Sequence, residues 1–311
     1  MLKTQRISEN ARCLDDFLLD VEAANRTDGT LRFYRQKLEV FLAYLADQGI
    51  TTPEAITPPV LRRFLVMLQK GHTSGGVHAY WRSIRAFIRF MVREEIIERN
   101  PLDKIRTLEV DQPILDPIEP KAIDALLDTC DSSELGKRDR AVFLTLLDSG
   151  IRAGELTALT IGDVDQSNGN ITIRKSKSRN GRIAFISAQT RKELRRYLRC
   201  REDVEDHEPL FLAYAKTGDT GPLTYDGLRA IVTRHAKQAG IKPPSLHSFR
   251  RTFALSMLRS GADVISLSRL MGHGSLPVIQ RYLKQMKEDL GAVHRQHSPV
   301  DSLKRDRRRR R

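Results

Sequence analysis

Cysteine is scarce in this sequence, with only three in 311 residues. Cys13, Cys130 and Cys200 are odd in number and far apart, and they form no Cys-x-x-Cys pair. None has a histidine beside it at metal-ligand spacing, so the pattern argues against both a disulfide framework and a zinc site. We expect the three cysteines to be small buried apolar residues in a reducing compartment.

Long apolar segments are also missing. The sequence contains no apolar run of about 20 residues, no signal segment and no basic amphipathic anchor. These absences predict a soluble cytoplasmic protein without a membrane partner. The apolar content of 40% and charged content of 30% are ordinary for a globular protein, and 311 residues suffice for two domains.

Acidic residues are too few to balance the basic ones, at 39 against 53, so the net charge is +14. A lasting positive field concentrates polyanions around a protein, and with no sign of a membrane anchor this favours nucleic acid as the partner. Residues 298–311 form a basic tail that we expect to be disordered. Two interpretations of the tail stay open, nonspecific DNA binding and an expression artefact.

The N-terminal third shows helical periodicity. From about residue 12 to residue 105, apolar residues recur at spacings of three and four, as in Leu38, Phe41 and Leu45, which predicts an all-helical domain over residues 1–110. Its last long helix, expected at about 77–95, has apolar residues on one side and a basic stripe opposite. The stripe consists of Arg82, Arg85, Arg89 and Arg93. It contains no acid, so contact with DNA phosphates is as good an interpretation as solvated or salt-bridged arginines.

Prolines mark the passage to a second domain. Asn100-Pro101 is predicted to end the basic helix, because proline cannot continue the backbone hydrogen bonding, and the segment 102–120 reads as an interdomain linker. Residues 111–297 then form the second domain. Its helices are expected at about 119–130, 137–149, 188–201, 223–239, 247–260, 263–271 and 276–286, with a short helix after Gly150.

One stretch of the second domain has strand periodicity. Residues 170–187 alternate apolar and polar side chains, which predicts a β-hairpin with Ile171 and Ile173 on one face and Ile183 and Phe185 on the other. The residues near its tip are Lys175, Lys177, Arg179 and Arg182. The predicted fold class is therefore mainly α, with an all-helical N-terminal domain and a mostly helical α+β domain that contains a small antiparallel sheet.

Chemistry-bearing residues concentrate near the C-terminal end of this domain. His247 and Arg250 lie one helical turn apart and are expected to face outward, while Phe249 and Phe253 point into a core. Alone, this pair is more typical of an ordinary surface histidine and arginine than of a catalytic site. Tyr282 follows, and a phenol with a pKa of about 10 attacks phosphate only when cations and proton carriers surround it.

Further upstream the sequence offers the remaining groups for phosphoryl transfer. Charge builds on the nonbridging oxygens, and the planar fork of arginine matches phosphate, so Arg152 and Arg250 are the candidate clamp. His247 and His273 can donate to a phosphate oxygen or relay the phenol proton. Lys177, on the hairpin tip, is the candidate acid for the leaving alkoxide.

The order Arg152, Lys177, His247-x-x-Arg250, His273 and Tyr282 resembles the active site of the tyrosine recombinase and integrase family. The local contexts are similar too, over roughly residues 12–290: Ser149-Gly150-Ile151-Arg152, Leu246-His247-Ser248-Phe249-Arg250 and Leu270-Met271-Gly272-His273. Two points differ or stay open. Arg251 stands where members commonly carry histidine, and Lys175 is an alternative to Lys177, which we prefer for its Ser-Lys-Ser context.

The resemblance implies a function. Residues 1–110 would be the core-binding domain and residues 111–297 the catalytic domain of a C-shaped clamp on double-stranded DNA, without the arm-binding domain of larger integrases. Tyr282 would form a 3′-phosphotyrosyl link, and strand exchange would pass through a Holliday junction in a homotetramer, with residues 284–297 making the cyclic contacts. No metal or nucleotide cofactor is implied, and the sequence has no phosphate-binding glycine loop.

Two other function classes stay in view at the sequence level. One is a non-catalytic DNA-binding accessory protein of the same fold, and the other is a type IB topoisomerase that relaxes supercoils. Neither the target site nor the choice among dimer resolution, mobile-element integration or excision, and inversion follows from the sequence. Arg179 joins the basic stripe of the N-terminal domain as a candidate DNA contact.

Overall fold

The computed structural model describes residues 8–106, 117–174, 181–201, 204–214 and 219–272. The chain folds into two compact units, Met1–Pro113 and Ile114–Arg311. Among the described residues no helix is both long and apolar enough to cross a membrane.

The first unit is helical throughout its described part. Its helices are α1 (Glu9–Ala23), α2 (Asp28–Asp47), α3 (Pro58–Gln69) and α4 (Ser74–Arg93), with short 3₁₀ helices at Pro53–Ala55 and Pro101–Lys104. The core contains a run of aromatic contacts, including Phe17 with Phe87 and Phe41 with Phe64, whose ring centroids are 5.6 and 5.0 Å apart. Such pairs stabilise a core beyond the area they bury. The all-helical character predicted for this region is confirmed.

The end of α4 differs from the expectation. The helix ends at Arg93, before Asn100-Pro101, because Glu95 adopts a left-handed φ of 59° and the N–H groups of Ile96 and Ile97 donate to the Met91 carbonyl. These hydrogen bonds satisfy a carbonyl that has no partner within the helix, so the helix ends without the help of a proline. Asn100 instead caps the 3₁₀ helix Pro101–Lys104, whose Leu102 is buried in the core of the first unit. The start of the predicted linker therefore belongs to the folded unit.

The second unit combines helices with two small sheets. Its helices are α5 (Pro120–Asp128), α6 (Glu134–Ser149), α7 (Ala153–Leu156), α8 (Ala188–Leu198), α9 (Tyr225–Gln238), α10 (Leu246–Arg259) and α11 (Val264–Met271), with a 3₁₀ helix at Ile161–Asp163. The strands β1 (Asn170–Ile173) and β2 (Arg182–Phe185) pair antiparallel, and so do β3 (Leu212–Tyr214) and β4 (Thr220–Pro222). The mostly helical fold with a small antiparallel sheet is as predicted, whereas the second hairpin was not predicted.

The first hairpin has the two faces that its alternation predicts. Ile171 pairs with Ala184, and both are buried, while Ile183 and Phe185 on the opposite face are each 50% exposed. Side chains on neighbouring strands of a pair share a face at each register position, so one face packs on the domain and the other does not. Arg182, at the first position of β2, pairs with Ile173.

Helix α6 is the centre of the second unit, packing against α8 and α10. Asp148, near its C-terminal end, accepts hydrogen bonds from the Ser187 amide and the Thr190 hydroxyl, each at 2.6 Å. These bonds join the C-terminal end of α6 to the N-terminal end of α8, and the Arg140–Glu193 ion pair further along shows that the two helices pack antiparallel. The chain then leaves α6 through Gly150 toward the residues of the candidate site.

The cysteines are only partly as expected. All three carry free thiols, and Cys13 is buried, but Cys130 and Cys200 are half-buried because each lies just past the end of a helix, α5 and α8 respectively. Burial raises the pKa of the Cys130 thiol to about 12, which makes it a poor nucleophile. Within the described ranges no cluster of three or more metal-ligating side chains occurs.

Candidate active site

Arg250 lies on α10 and its position corrects the sequence interpretation. The residue is 1% exposed, whereas the helical spacing predicted an outward-facing pair with His247. Its guanidinium donates through Nη1 to the Gly150 carbonyl at 2.5 Å and through Nη2 to the Met271 carbonyl. Both carbonyls belong to helix C-terminal ends, which lack intrahelical partners and carry partial negative charge. Arg250 is buried because it satisfies these two ends.

Arg152 begins the short helix α7, two residues after α6 has ended at Gly150. Its side chain is 32% exposed, so the guanidinium reaches the surface of the unit. Its main-chain N–H donates to Oε2 of Glu155 and its Nη1 donates to Oε1, both at 2.8 Å. Glu155 thus fixes both the backbone and the guanidinium of Arg152.

Glu155 also binds a second guanidinium, that of Arg182 on β2. Arg182 donates through Nη1 to Oε1 at 2.8 Å and through Nη2 to Oε2 at 2.6 Å, a bidentate pair. Burial on its own raises the pKa of Glu155, but the hydrogen bonds and charges of Arg182 and Arg152 outweigh it and lower the pKa to about 2. Glu155 is therefore an anion under all physiological conditions.

His247 lies in the first turn of α10 and is exposed. Partial desolvation is the largest cause that lowers the pKa of His247, and the positive charges of Arg251, Arg250 and Arg152 lower it further. The imidazole is consequently neutral at pH 7 and can accept a proton. The same charges show that His247, Arg152 and Arg250 lie in one electrostatic neighbourhood, although 98 residues separate Arg152 from Arg250 in the sequence.

Two glycines make this arrangement possible. Gly150 has φ of 60°, and a Cβ atom there would lie 2.2 Å from Cδ1 of Phe253 on α10. Gly272 ends α11 with φ of 59°, and its Cβ would lie 2.6 Å from Cδ of Arg182. Glycine alone supplies this backbone conformation at low cost and leaves room for the neighbour.

The remaining predicted residues of the site fall outside the described residues. These are Lys177, with its alternative Lys175, Arg179, His273 and Tyr282. The described residues do, however, include the last turn of α11, where Arg250 binds the Met271 carbonyl and Arg182 donates to the Leu270 carbonyl at 3.2 Å. The end of α11 is held from two sides.

The basic stripe of α4 is exposed along its length, opposite the buried Ile84, Phe87, Ile88 and Met91. Arg93 donates to Asp20 at 2.7 Å and to Glu94 at 3.0 Å, and Arg82 stacks over the Phe33 ring at 5.5 Å. Exposed ion pairs of this kind are weak and exchange readily for other anions. Arg85 and Arg89 have no such carboxylate contact among the described residues.

Sequence reasoning missed Glu155 and the role of Arg182. Glu155 stands three residues after Arg152, at the spacing of a carboxylate that caps a helix start, which was the available signal. Arg182 resembled one more basic residue near a hairpin tip, although the alternation with Ile183 and Phe185 puts it on the same face as the buried Ala184. Chemically, the described site presents guanidinium groups and a neutral imidazole, a set suited to binding phosphate oxygens and accepting a proton.

Comparison with known proteins identifies related sequences over nearly the whole chain. Residues 117–289 match the phage integrase family, and residues 14–95 match the phage integrase N-terminal SAM-like domain. Tyrosine recombinase XerC of Pelobacter propionicus is 30% identical over 279 residues, covering 88% of this chain and 91% of that protein. Tyrosine recombinase XerD of Pseudomonas putida is 29% identical over 282 residues, covering 88% and 92%.

Solved structures share the fold. The Tn1549 transposon integrase in complex with transposon right end DNA is similar with a TM-score of 0.72 at 16% identity, covering 87% of this chain and 94% of that chain. A lambda integrase dimer bound to a COC′ core site is similar with a TM-score of 0.69 at 17% identity, covering 85% and 94%. At these identities the likeness concerns the fold.

Proposed function

This chain belongs to the phage integrase family and is a tyrosine-type site-specific recombinase, and we propose that it cuts and rejoins DNA strands with Tyr282 as the nucleophile. The convergence of Arg152, His247 and Arg250 is the observation that carries this assignment of residues. His247 and Arg250 lie one turn apart on α10, and Arg152 precedes α7 about a hundred residues upstream, so two distant segments contribute two cations and a neutral imidazole. Such a group of cations beside a proton acceptor is suited to stabilising a phosphoryl transition state.

The chemistry follows from these groups. The phenol oxygen of Tyr282 attacks the scissile phosphorus, a phosphotyrosyl bond to the 3′ end forms, and the bond to the 5′ oxygen breaks. His247, neutral at pH 7, takes the phenol proton, and Lys177 gives a proton to the leaving 5′ oxygen. Arg152, Arg250 and His273 bind the nonbridging oxygens, where charge develops. A 5′ hydroxyl of the partner strand reverses the step, so the energy of the phosphodiester is conserved.

The first unit would hold the duplex. We propose that residues 1–110 bind double-stranded DNA through Arg82, Arg85 and Arg89 on α4, with Arg93 exchanging its carboxylate partners for phosphate. Arg179 belongs to the predicted hairpin of the second domain, residues 111–297, and would add a further phosphate contact. The solved relatives named above are described in complex with DNA, which supports this partner. Phosphate contacts of this kind set affinity and position but carry no sequence information.

Recombination joins two sites, and each needs two protomers, so the working form would be a homotetramer on DNA. Residues 284–297, which follow the nucleophile, are the candidates for the cyclic contacts, and strand exchange would pass through a Holliday junction. We further propose that the protein acts on its DNA in the cytoplasm.

Covalent trapping tests the proposal without knowledge of the target. Wild-type protein is incubated with a pool of duplexes that have a randomised core and a nick beside it, so that cleavage releases a short strand and the adduct cannot reverse. Adducts that survive denaturant are digested, and the linked peptide is identified by mass spectrometry. We expect DNA on the peptide that contains Tyr282, and sequencing of the trapped duplexes yields the recognition site.

The matched controls are two tyrosine variants. Tyr282→Phe should form no adduct, whereas Tyr225→Phe, which alters an exposed tyrosine at the start of α9, should react like the wild type. An adduct formed by Tyr282→Phe would contradict the assignment of the nucleophile. Absence of any adduct with wild-type protein would contradict catalysis and favour an accessory DNA-binding role, and relaxation of supercoils without exchanged products would indicate a topoisomerase.

A further inference from the structure

Arg182 is a charged side chain that the proposed reaction does not use, yet its contacts are those of an active-site component. It lies at the start of β2, and its side chain is only 9% exposed. Removing a guanidinium from water is costly unless hydrogen bonds and an opposite charge replace the lost hydration. The Glu155 carboxylate and the Leu270 carbonyl supply those bonds.

The two partners of Arg182 belong to two segments that carry candidate site residues. Glu155 binds the backbone and the guanidinium of Arg152, so Arg182 acts on Arg152 through one shared carboxylate. Leu270 belongs to the last turn of α11, which precedes His273, and Gly272 approaches the aliphatic part of Arg182 so closely that a Cβ atom would lie 2.6 Å from its Cδ. Arg182 therefore joins the segment that contains Arg152 to the helix that precedes His273.

We propose that Arg182 is a positioning residue that holds Arg152 and the end of α11 in a fixed mutual arrangement for phosphoryl transfer, an inference that rests on the function proposed above. Arg182 does not itself contact the DNA in this proposal, because all three of its guanidinium nitrogens donate to oxygens of the protein. Its effect passes through Glu155 to Arg152 and through the Leu270 carbonyl to the residue after Gly272. Misplacement of a catalytic group by about 1 Å costs on the order of a hundredfold in rate, so such a support has a measurable effect.

The planar fork of arginine is essential to this role. Two N–H groups of Arg182 bind the two oxygens of Glu155, and Nε binds the carbonyl, so the three bonds diverge in one plane. Lysine carries the same charge as a single point and cannot make the bidentate pair and the carbonyl bond together. Arg182→Lys thus keeps the charge and removes the geometry.

The chain contains a matched control in Arg138. Its side chain is 4% exposed, it binds the Asp139 carboxylate through Nε and Nη2, and it donates through Nη1 to the Leu212 carbonyl at 2.8 Å. Arg138 therefore has the same kind of partners and the same burial as Arg182. It lies on α6, however, about 17 Å along the helix axis from Ser149, where the helix reaches the site. Arg138→Lys should disturb stability to a similar degree without disturbing the site.

The experiment measures single-turnover formation of the covalent adduct on a duplex recovered from the randomised pool, at saturating protein, together with DNA affinity and thermal unfolding. We expect Arg182→Lys to cleave about 10- to 100-fold more slowly than the wild type, the range typical for loss of a supporting contact. Its DNA affinity should be unchanged, because the contacts of Arg182 are internal. Arg138→Lys should cleave at a rate within about threefold of the wild type, even if its unfolding temperature shifts as much as that of Arg182→Lys.

A double-mutant cycle separates positioning from general destabilisation. Arg182→Lys and Glu155→Gln disrupt the same pair, so their effects on the cleavage rate should be strongly non-additive, whereas Arg138→Lys and Glu155→Gln should combine additively. Glu155→Gln also reports on the pair if Arg182→Lys does not fold. Equal slowing by Arg182→Lys and Arg138→Lys, additivity of Arg182→Lys with Glu155→Gln, or wild-type cleavage by Arg182→Lys would each overturn the inference while leaving the proposed function intact. Failure of the wild type to form any adduct would overturn both.

Discussion

The Nη1 atom of Arg250 donates a hydrogen bond of 2.5 Å to the carbonyl of Gly150, across a separation of 100 residues. This bond links the residue that opens the Arg152 segment to the centre of α10. It also explains why Arg250 is buried, since a helix end without a partner would otherwise be left inside the unit. Arg250 therefore joins the C-terminal ends of α6 and α11, and these two ends support the candidate site.

Replacing Gly150 tests this construction. Gly150→Ala should lower the free energy of unfolding by about 2 to 4 kcal/mol, because it combines a left-handed backbone with a clash against Phe253. Gly240→Ala is the control, since Gly240 has a similar φ of 66° but open space where a Cβ would stand, and it should cost only about 1 kcal/mol. Urea denaturation of both variants measures the difference, and equal losses would contradict the role of the Phe253 contact.

The charge of Glu155 predicts a dependence of stability on pH. Its folded pKa is about 2 against an ordinary value of 4.5, so the folded state gains stability from the ionised carboxylate above about pH 4.5 and loses it as the pH falls toward 2. At pH 7 Glu155→Gln should be less stable than the wild type by about 3 kcal/mol, since each pKa unit corresponds to about 1.4 kcal/mol. The difference should shrink toward pH 2, because the protonated acid and the amide are nearly isosteric. A difference that is constant with pH would show that the charge is unimportant.

The pH dependence of cleavage should report on His247. If the neutral imidazole accepts the phenol proton, the rate rises as the pH passes upward through the lowered pKa of His247, so the midpoint of this limb lies below the ordinary histidine value of 6.5. Arg251→Gln removes a nearby positive charge, which should raise this pKa and move the acidic limb of the rate profile to higher pH.

Arg259→Gln serves as the control for this shift. Arg259 is exposed in the last turn of α10, about 18 Å along the helix from His247, and its loss should leave the limb in place. The position of the limb does not depend on how much enzyme is folded, so partial destabilisation by Arg251→Gln does not obscure it. A shift of the limb to lower pH would contradict the proposed electrostatic coupling.

The basic stripe of α4 predicts a graded salt dependence of DNA binding. Arg85→Ala and Arg89→Ala should each weaken binding and reduce the slope of log affinity against log salt by about 1, as expected for one lost phosphate contact. Arg93→Ala should have a smaller effect, because Arg93 must first leave Asp20 and Glu94. Filter binding across a range of salt concentrations provides the slopes. An unchanged slope in all three variants would exclude α4 from the DNA interface.

Local pattern was enough for much of the fold. The helical spacing of Leu38, Phe41 and Leu45 and the alternation around Ile171 predicted elements that the structure contains, because periodicity directly reflects which side chains are buried. Pattern failed at two short features. The turn after α4 depends on Glu95 and the Met91 carbonyl, and the β3–β4 hairpin consists of strands too short to show alternation.

The sequence by itself determined the family, the order of the candidate catalytic residues and the two-sided character of α4, because composition, motif spacing and helical period are local properties. Only the tertiary structure decided that Arg250 is buried between the ends of α6 and α11 and that Glu155 bridges Arg152 and Arg182. Whether an arginine faces solvent or a carbonyl depends on which segments meet around it. The contacts of Arg182 span 27 and 88 residues, a range over which no periodicity carries information.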